Sequence, residues 1–511
     1  MPNRFDFGGV DLTAGESPSS SPQSAETPFC VAIFGDFSGR ASRGLKDAKT
    51  LGERRPILVD RDNFDEVLAG LKVELHFATE QGDPIALRFS GLDDFHPDRL
   101  FEHSVFSRLR ELRAKLQNPA TFGDVARDAG LLVQSSQSPG RTAEDSTVLA
   151  PRPVRLATGS LLDEMIEQTE ARGVVEQATR KADEVSDFAR QLAARYSVVA
   201  PDPRQAEIVG AVDQAVGDAM RTVLHHPDFQ ALEAIWRATF FLVRQIETGP
   251  LLKIYLFDIS KAELAADLKS SADVQRTGVF RLLVEKGMQM PGADPWALVI
   301  GNYSFGPEGD DMELLRIMAK IAKRARAPFL AGADPTLLGA ESITGLAHPR
   351  DWNRVNANGW YELRSQPEAD ALALALPRFL ARLPYGEKTS PVESFNFEEF
   401  QGSPSHEGYL WTNPAFAVGL LIAESFSQLG WQMRLGSVAQ LDKLPLHVYQ
   451  ADGESVSKPC AEVLLTEDAV EGILEAGIIP LVSFKGRDSV RIGRFQSIAR
   501  PQGGLSGRWS S

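Results

Sequence analysis

Two cysteines, Cys30 and Cys460, are all that 511 residues contain. That scarcity excludes a disulfide framework and points to a reducing compartment. Long apolar runs are missing as well. The longest, such as Ala417–Ala423, fall far short of the ~20 residues a membrane-spanning helix requires, so no membrane insertion is expected. Met1 to Ala25 lacks the apolar centre of a secretory signal, and a cytoplasmic protein is expected. Basic blocks are absent too, and the formal net charge is −15. Without a Lys/Arg stripe to track phosphates, nucleic acid is excluded as a partner, and the acidity serves solubility. No Walker A pattern, His-Glu-x-x-His, Cys-x-x-Cys or Gly-x-Ser-x-Gly occurs. No catalytic, cofactor-binding or metal-binding residue is therefore assigned, and no enzyme is expected.

What is present is an ordinary globular composition, 43% apolar and 24% charged, in a chain long enough for roughly two to four domains. Residues 13–27, rich in Ser, Pro, Glu and Thr, predict a flexible leader. Phe29 to Phe34 reads as a buried strand ending at Gly35, and Ile57 to Val59 as another. Asp62 or Asn63 can cap a short helix carrying Phe64, Val67, Leu68 and Leu71. Val73 to Phe77 and Ile85 to Phe89 alternate apolar and polar residues about Gln81-Gly82-Asp83, a hairpin pattern. Leu100, Val105, Leu109, Leu112 and Leu116 mark a helix. Between Gln134 and Ala150 the chain turns to Ser, Gln, Pro, Gly and Thr, as interdomain linkers do.

Beyond the linker, Leu161, Leu162, Met165, Ile166 and Thr169 form one face of a short amphipathic helix. Ser160 is placed to cap it, and Asp163 and Glu164 sit in its first turn. Helical spacing returns from Ile208 to Val223 and from Phe229 to Val243. Strand-like segments at Leu252 to Phe257 and Ala297 to Ile300 precede a helix between Met312 and Arg326. Strands alternating with helices predict α/β layers.

Four clusters invite a chemical reading. The turn Gly35-Asp36-Phe37-Ser38-Gly39-Arg40 follows a strand, so its amides can cradle an anion; a plain glycine turn is the alternative. In His225-His226-Pro227-Asp228 the two histidines would diverge by about 100° on a helix, which serves one metal poorly. A helix stopped by Pro227 and restarted at Asp228 explains that run. Asp310-Asp311 reads as dipole-favoured acids at a helix start. Glu398-Glu399 has no histidine or loop partner near it in sequence. Trp236, Phe240 and Phe241, at helical spacing, read as core, as do Leu410-Trp411 and Phe416.

The run His225-His226-Pro227-Asp228-Phe229-Gln230-Ala231-Leu232-Glu233-Ala234-Ile235-Trp236-Arg237 closely resembles a signature of type VI secretion sheath large subunits, the TssC or VipB family. Lys253 to Leu268, Thr277 to Phe305, Pro377 to Gly386, Phe395 to Glu399 and Tyr409-Leu410-Trp411 continue the resemblance in order. In front, Phe34 to Arg40, Val59 to Asp65 and Leu92 to Asp98 are similar to the small subunit, TssB or VipA. The resemblance implies a multi-domain, contractile-sheath-like α/β fold with mixed sheets and packed helices. Its implied divisions are a leader (1–27), a small-subunit-like domain (28–133), a linker (134–158), a large-subunit-like domain (159–502, N-terminal helix 160–172) and a frayed tail (503–511).

By that resemblance the chain is a structural subunit of a contractile tail sheath, assembling around an inner tube and driving effector delivery by contraction. Its implied partners are other sheath subunits, whether copies of itself or a full-length large subunit, the inner-tube protein and an AAA+ recycling ATPase. The family's N-terminal helix is the handle that ATPase seizes, which implies partner-binding roles for Leu161, Leu162, Met165 and Ile166; a plain docking helix is the alternative. Family large subunits continue past the equivalent of Ser511 into an arm that knits neighbours. That difference raises an alternative, an accessory protein that caps, templates or regulates a sheath of separate subunits. An enzyme of unknown class is the distant third reading.

Overall fold

Seven consecutive residues, Phe29-Cys30-Val31-Ala32-Ile33-Phe34-Gly35, are all buried, and together they form strand β1 (Phe29–Gly35). An unbroken apolar run of this kind suits a parallel strand covered on both faces. The computed structural model describes residues 24–78, 84–131, 202–289, 294–353 and 358–510. It divides into two compact units: Met1–Ser107 with Asp213–Ser511, and Arg108–Val212.

In the larger unit, β1 lies inside a nine-stranded sheet of order β11-β15-β14-β8-β7-β6-β1-β5-β2. Its strands are β2 (Ile57–Val59), β5 (Leu252–Asp258), β6 (Trp296–Phe305), β7 (Phe329–Ala333), β8 (Leu372–Leu376), β11 (Gln440–Leu441), β14 (Ile479–Ser483) and β15 (Val490–Ile492). The core from β5 through β1, β6, β7 and β8 to β14 is parallel, and the edges β2, β15 and β11 are antiparallel. β1 therefore pairs on one side with β5, Phe29 opposite Leu252, and on the other with β6, Val31 opposite Leu298. A strand from the front of the chain is the inner neighbour of two strands from the rear.

Alternation along β6 assigns its faces. Leu298 and Ile300 point at Gly419 in the helix Pro414–Leu429. Val299 joins the cluster of Cys30, Ala32, Phe34, Leu315 and Met318, so the helix Gly309–Ala325 covers the opposite face. Among the described residues three antiparallel pairs stand beside the main sheet: β3 (Val73–Ala78) with β4 (Pro84–Phe89), β9 (Phe379–Leu380) with β10 (Trp411–Thr412), and β12 (Val448–Ala451) with β13 (Glu454–Ser457). Both cysteines are buried free thiols, and burial pushes Cys30 up to about 12 and Cys460 up to about 11. Near the end of the chain Arg508 is buried, donating to Trp296 O at 2.8 Å and to Ala325 O at 3.0 Å. The Ala325 carbonyl belongs to the last turn of Gly309–Ala325, where a cation is favoured by the helix dipole.

In the smaller unit, Leu116, Phe122 and Ala126 of the helices Ser107–Gln117 and Pro119–Asp128 are buried. Gln205 closes it, its side-chain amide donating to Leu116 O at 2.7 Å and Gln117 O at 3.0 Å.

The α/β layering expected from the sequence is what the chain adopts. One helix differs. The periodic residues Leu100 to Leu116 do not lie on a single rod but on Pro97–Glu102, a short turn Ser104–Phe106 and Ser107–Gln117, broken at the extended His103 (φ −63°, ψ 153°). On an unbroken helix Phe101 and Phe106 would point about 140° apart. The break lets both rings bury, with centroids 6.1 Å from each other.

Candidate functional site

The motifs that sequence reading found separately, front and rear, meet in space at two buried joints. The first forms where β1 ends. Gly35 lies beside Asp258, the last residue of β5. A Cβ on Gly35 would fall 2.2 Å from the tip of the Ile235 side chain on the helix Pro227–Gln245, so any larger residue would force that side chain to move. The following turn needs Gly39 at φ +75°. Its amides do cradle an anion, but the anion is the chain's own. Asp258 accepts N–H bonds from Phe37 (2.8 Å) and Ser38 (3.1 Å) and the Ser38 hydroxyl (2.7 Å). Asp36 in turn accepts from the amides of Arg40 (2.6 Å) and Ala41 (2.7 Å).

Glu263 completes this joint from below. It is fully buried in the first turn of the helix Lys261–Leu268, in a reciprocal cap with Ser260. Arg40 grips it with two parallel bonds, 2.9 and 2.7 Å, and Arg54 adds 2.6 Å. Burial works against charge on Glu263, but the Arg40 and Arg54 hydrogen bonds overcome it and hold the carboxyl at about 2. Arg54 also donates to the Asp258 carbonyl. Above the turn, Trp236 donates its indole N–H to Phe37 O at 2.9 Å and packs edge-on against Phe37 and Phe64.

The second joint centres on Arg382, which is 9% exposed between Glu233 at 0% and Glu399 at 1%. Its guanidinium donates to Glu233 at 2.8 and 3.3 Å and to Glu399 at 2.8 and 3.1 Å. Arg237 pairs with Glu233 at 2.6 Å, so two acids face two bases and the cluster is neutral. Glu399 further accepts the Tyr385 amide at 2.7 Å. Burial would raise Glu399, yet the Arg382 charge and the bonds around it bring it down to about 2. The Tyr385 hydroxyl, pushed up to about 12 by burial, accepts from Arg237 at 3.0 Å and reaches Phe95 O at 3.5 Å. Asp98, from the front, accepts the amides of Glu393 (3.1 Å) and Ser394 (2.8 Å), and Phe101 packs on Phe395 with centroids 4.9 Å apart.

The histidine run resolves as a helix junction. Pro227 is the first residue of its helix, and His226 caps it by accepting from the Asp228 amide at 3.3 Å. The cap is thus one step earlier than a restart at Asp228. His225 lies 3.5 Å from Glu399, supplying the histidine that the Glu398-Glu399 pair lacks locally in sequence. Asp310 and Asp311 stand in the first turn of Gly309–Ala325, as expected for acids at a helix start. Trp236, Leu410, Trp411 and Phe416 are buried; Phe240 and Phe241 are half-buried. Leu161, Leu162, Met165 and Ile166 lie outside the described residues.

Chemically, these charges are spent on one another: the carboxylates of Glu233, Glu263 and Glu399 are buried, while Arg40, Arg54 and Arg237 keep an edge in solvent. The Arg40 and Arg54 pairs with Glu263 fasten front to rear, whereas the Arg382 cluster lies within the rear segment and meets the front through Tyr385 to Phe95 O, Asp98 and Phe101. Among the described residues no three His, Cys, Asp or Glu side chains are grouped to hold a metal, and no helix is long and apolar enough to cross a membrane.

Comparison with known proteins bears on both segments. A family model described as VipB, tail sheath N-terminal domain, matches residues 206–499, and one described as type VI secretion system VipA matches residues 11–125. The type VI secretion system sheath protein TssC1 of Pseudomonas aeruginosa is 34% identical over 354 residues, 67% of this chain and 70% of that protein.

Proposed function

This chain belongs to the type VI secretion tail-sheath family, VipA-like in front and VipB-like behind, and on that premise we propose that it is a structural subunit of a contractile sheath. It carries both partners of the sheath building block in one polypeptide. In the cytoplasm it assembles with further sheath subunits around an inner tube and drives effector delivery by contraction. Contacts that repeat without closing build such a tube, and interfaces with two discrete packings let it shorten in steps.

The observation that supports this reading most is the shared sheet. β1, from the VipA-like segment, is hydrogen-bonded on both sides by VipB-like strands. A subunit that passes force along a polymer must not shed half of itself, and an inner strand backed by the Arg40 and Arg54 bonds to buried Glu263 resists that. The recycling-ATPase role belongs to the same proposal, with Leu161, Leu162, Met165 and Ile166 as the apolar face that docks.

Electron microscopy of the chain expressed with the matching inner-tube protein tests the assembly. Long, regular tubes with the chain wrapped outside are expected. A chain that stays dispersed while the inner tube forms would defeat the sheath-subunit reading.

A further inference from the structure

Away from both joints, a cleft of about 570 Å³ opens between the 335–339 turn, the helix Asn358–Arg364, the end of the helix Glu467–Glu475 and the segment Arg500–Gln502. Its floor is aromatic and aliphatic: Leu337, Leu338, Trp352 and Trp360 are buried there. Both indole N–H groups are already satisfied, by Gly345 O and Ala476 O, each at 3.0 Å. The floor of the cleft thus offers ring surface rather than donors.

Two charges mark the rim, Arg500 and Glu475. The Arg500 guanidinium lies 4.5 Å over the ring of Tyr361, itself 51% exposed. Among the described residues no carboxylate pairs with Arg500. The neighbouring Arg364 is committed elsewhere, to Ile498 O (2.8 Å) and Glu475 O (3.0 Å). An occupant must therefore bring aromatic side chains together with an acid for Arg500.

The chain contains such a segment. Arg4-Phe5-Asp6-Phe7 alternates charge and ring. Extended, it puts Phe5 and Phe7 on one side and Arg4 and Asp6 on the other. Its charges are opposite to the two on the rim. The 23 residues before the described chain reach about 75 Å when extended, far enough to cross a domain of this size.

We propose that this cleft seats the chain's own N-terminal leader, Phe5 and Phe7 against the aromatic floor and Asp6 against Arg500. The proposal goes beyond the sheath-subunit reading and does not depend on it.

A photoreactive benzoylphenylalanine placed at position 7 of the full chain tests it directly. After irradiation, cross-links to Leu337–Gly339 or Trp360–Arg364 are expected in the monomer band. Asp6→Arg should cut their yield at least fivefold, and adding Arg500→Asp should restore it. Cross-links only elsewhere, or none, overturn the proposal. A cross-link to the cleft found only between two chains overturns it in favour of a second copy's leader. Loss on Asp6→Arg without recovery in the double variant overturns the Asp6–Arg500 pairing. Arg500 is exposed, so its replacement leaves the core intact.

Discussion

Truncating Arg382 to alanine would leave Glu399 buried with only the Tyr385 amide and the long contact to His225. Stranding a buried charge costs roughly 3–5 kcal/mol. The paired replacement Arg382→Met with Glu399→Gln keeps the Glu233–Arg237 pair and removes the stranded carboxylate, so it should cost much less. Urea denaturation of the two variants reads the difference, and equal losses would mean the pairing contributes nothing specific. Acid supplies a second test. Glu263 and Glu399 are held at about 2 against an ordinary 4.5. Depressed carboxyls contribute stability that is fully present above pH 4.5 and is lost as pH falls toward 2, here on the order of a few kcal/mol each. Glu263→Gln should flatten the stability–pH curve within that window, and an unchanged curve would count against the assignment. Little of this was legible in the sequence. Glu398-Glu399 stood out as a pair, but Arg382 and Glu233 are distant along the chain. Glu263 sits in Ser260-Lys261-Ala262-Glu263, a capping-box pattern that announces the helix start and nothing of the two arginines beyond.

Elements with their own periodicity were the legible ones. The β3–β4 hairpin followed from strict alternation, β1 from an unbroken apolar run, and Pro227–Gln245 from helical spacing. Sheet order was not, because β1, β5 and β6 are all apolar and nothing in a buried strand's pattern names its neighbour. Two-residue strands such as β9 and β11 carry no period at all. The central place of β1 predicts the result of cutting the chain. Cleavage within Ser135–Ser146 should leave the two fragments eluting together at micromolar concentration, since separating them breaks three rows of strand hydrogen bonds, the Arg40 and Arg54 bonds to Glu263 and the Asp98 contacts. Fragments that part on size exclusion would overturn this. For the proposed handle, Leu161→Asp, Leu162→Asp and Ile166→Asp together should abolish pull-down by the recycling ATPase without moving the unfolding midpoint. Unchanged pull-down would remove that role.

For the molecule as a whole, family membership and fold class agree, while the interleaving of its two segments is what only the structure shows. It has a consequence in time. β1 leaves the ribosome early, but its first partner, Leu252 opposite Phe29, follows roughly 220 residues later. At ~5–20 residues per second that is about 10–45 s of synthesis. For that interval a strand with Phe29, Val31, Ile33 and Phe34 has both edges unpaired, a template for any other exposed strand. Separate small and large subunits would face each other as finished chains. Here the growing polypeptide must shelter its own central strand until the rest is made, and ribosomes paused before β5 should carry nascent chains that chaperones hold.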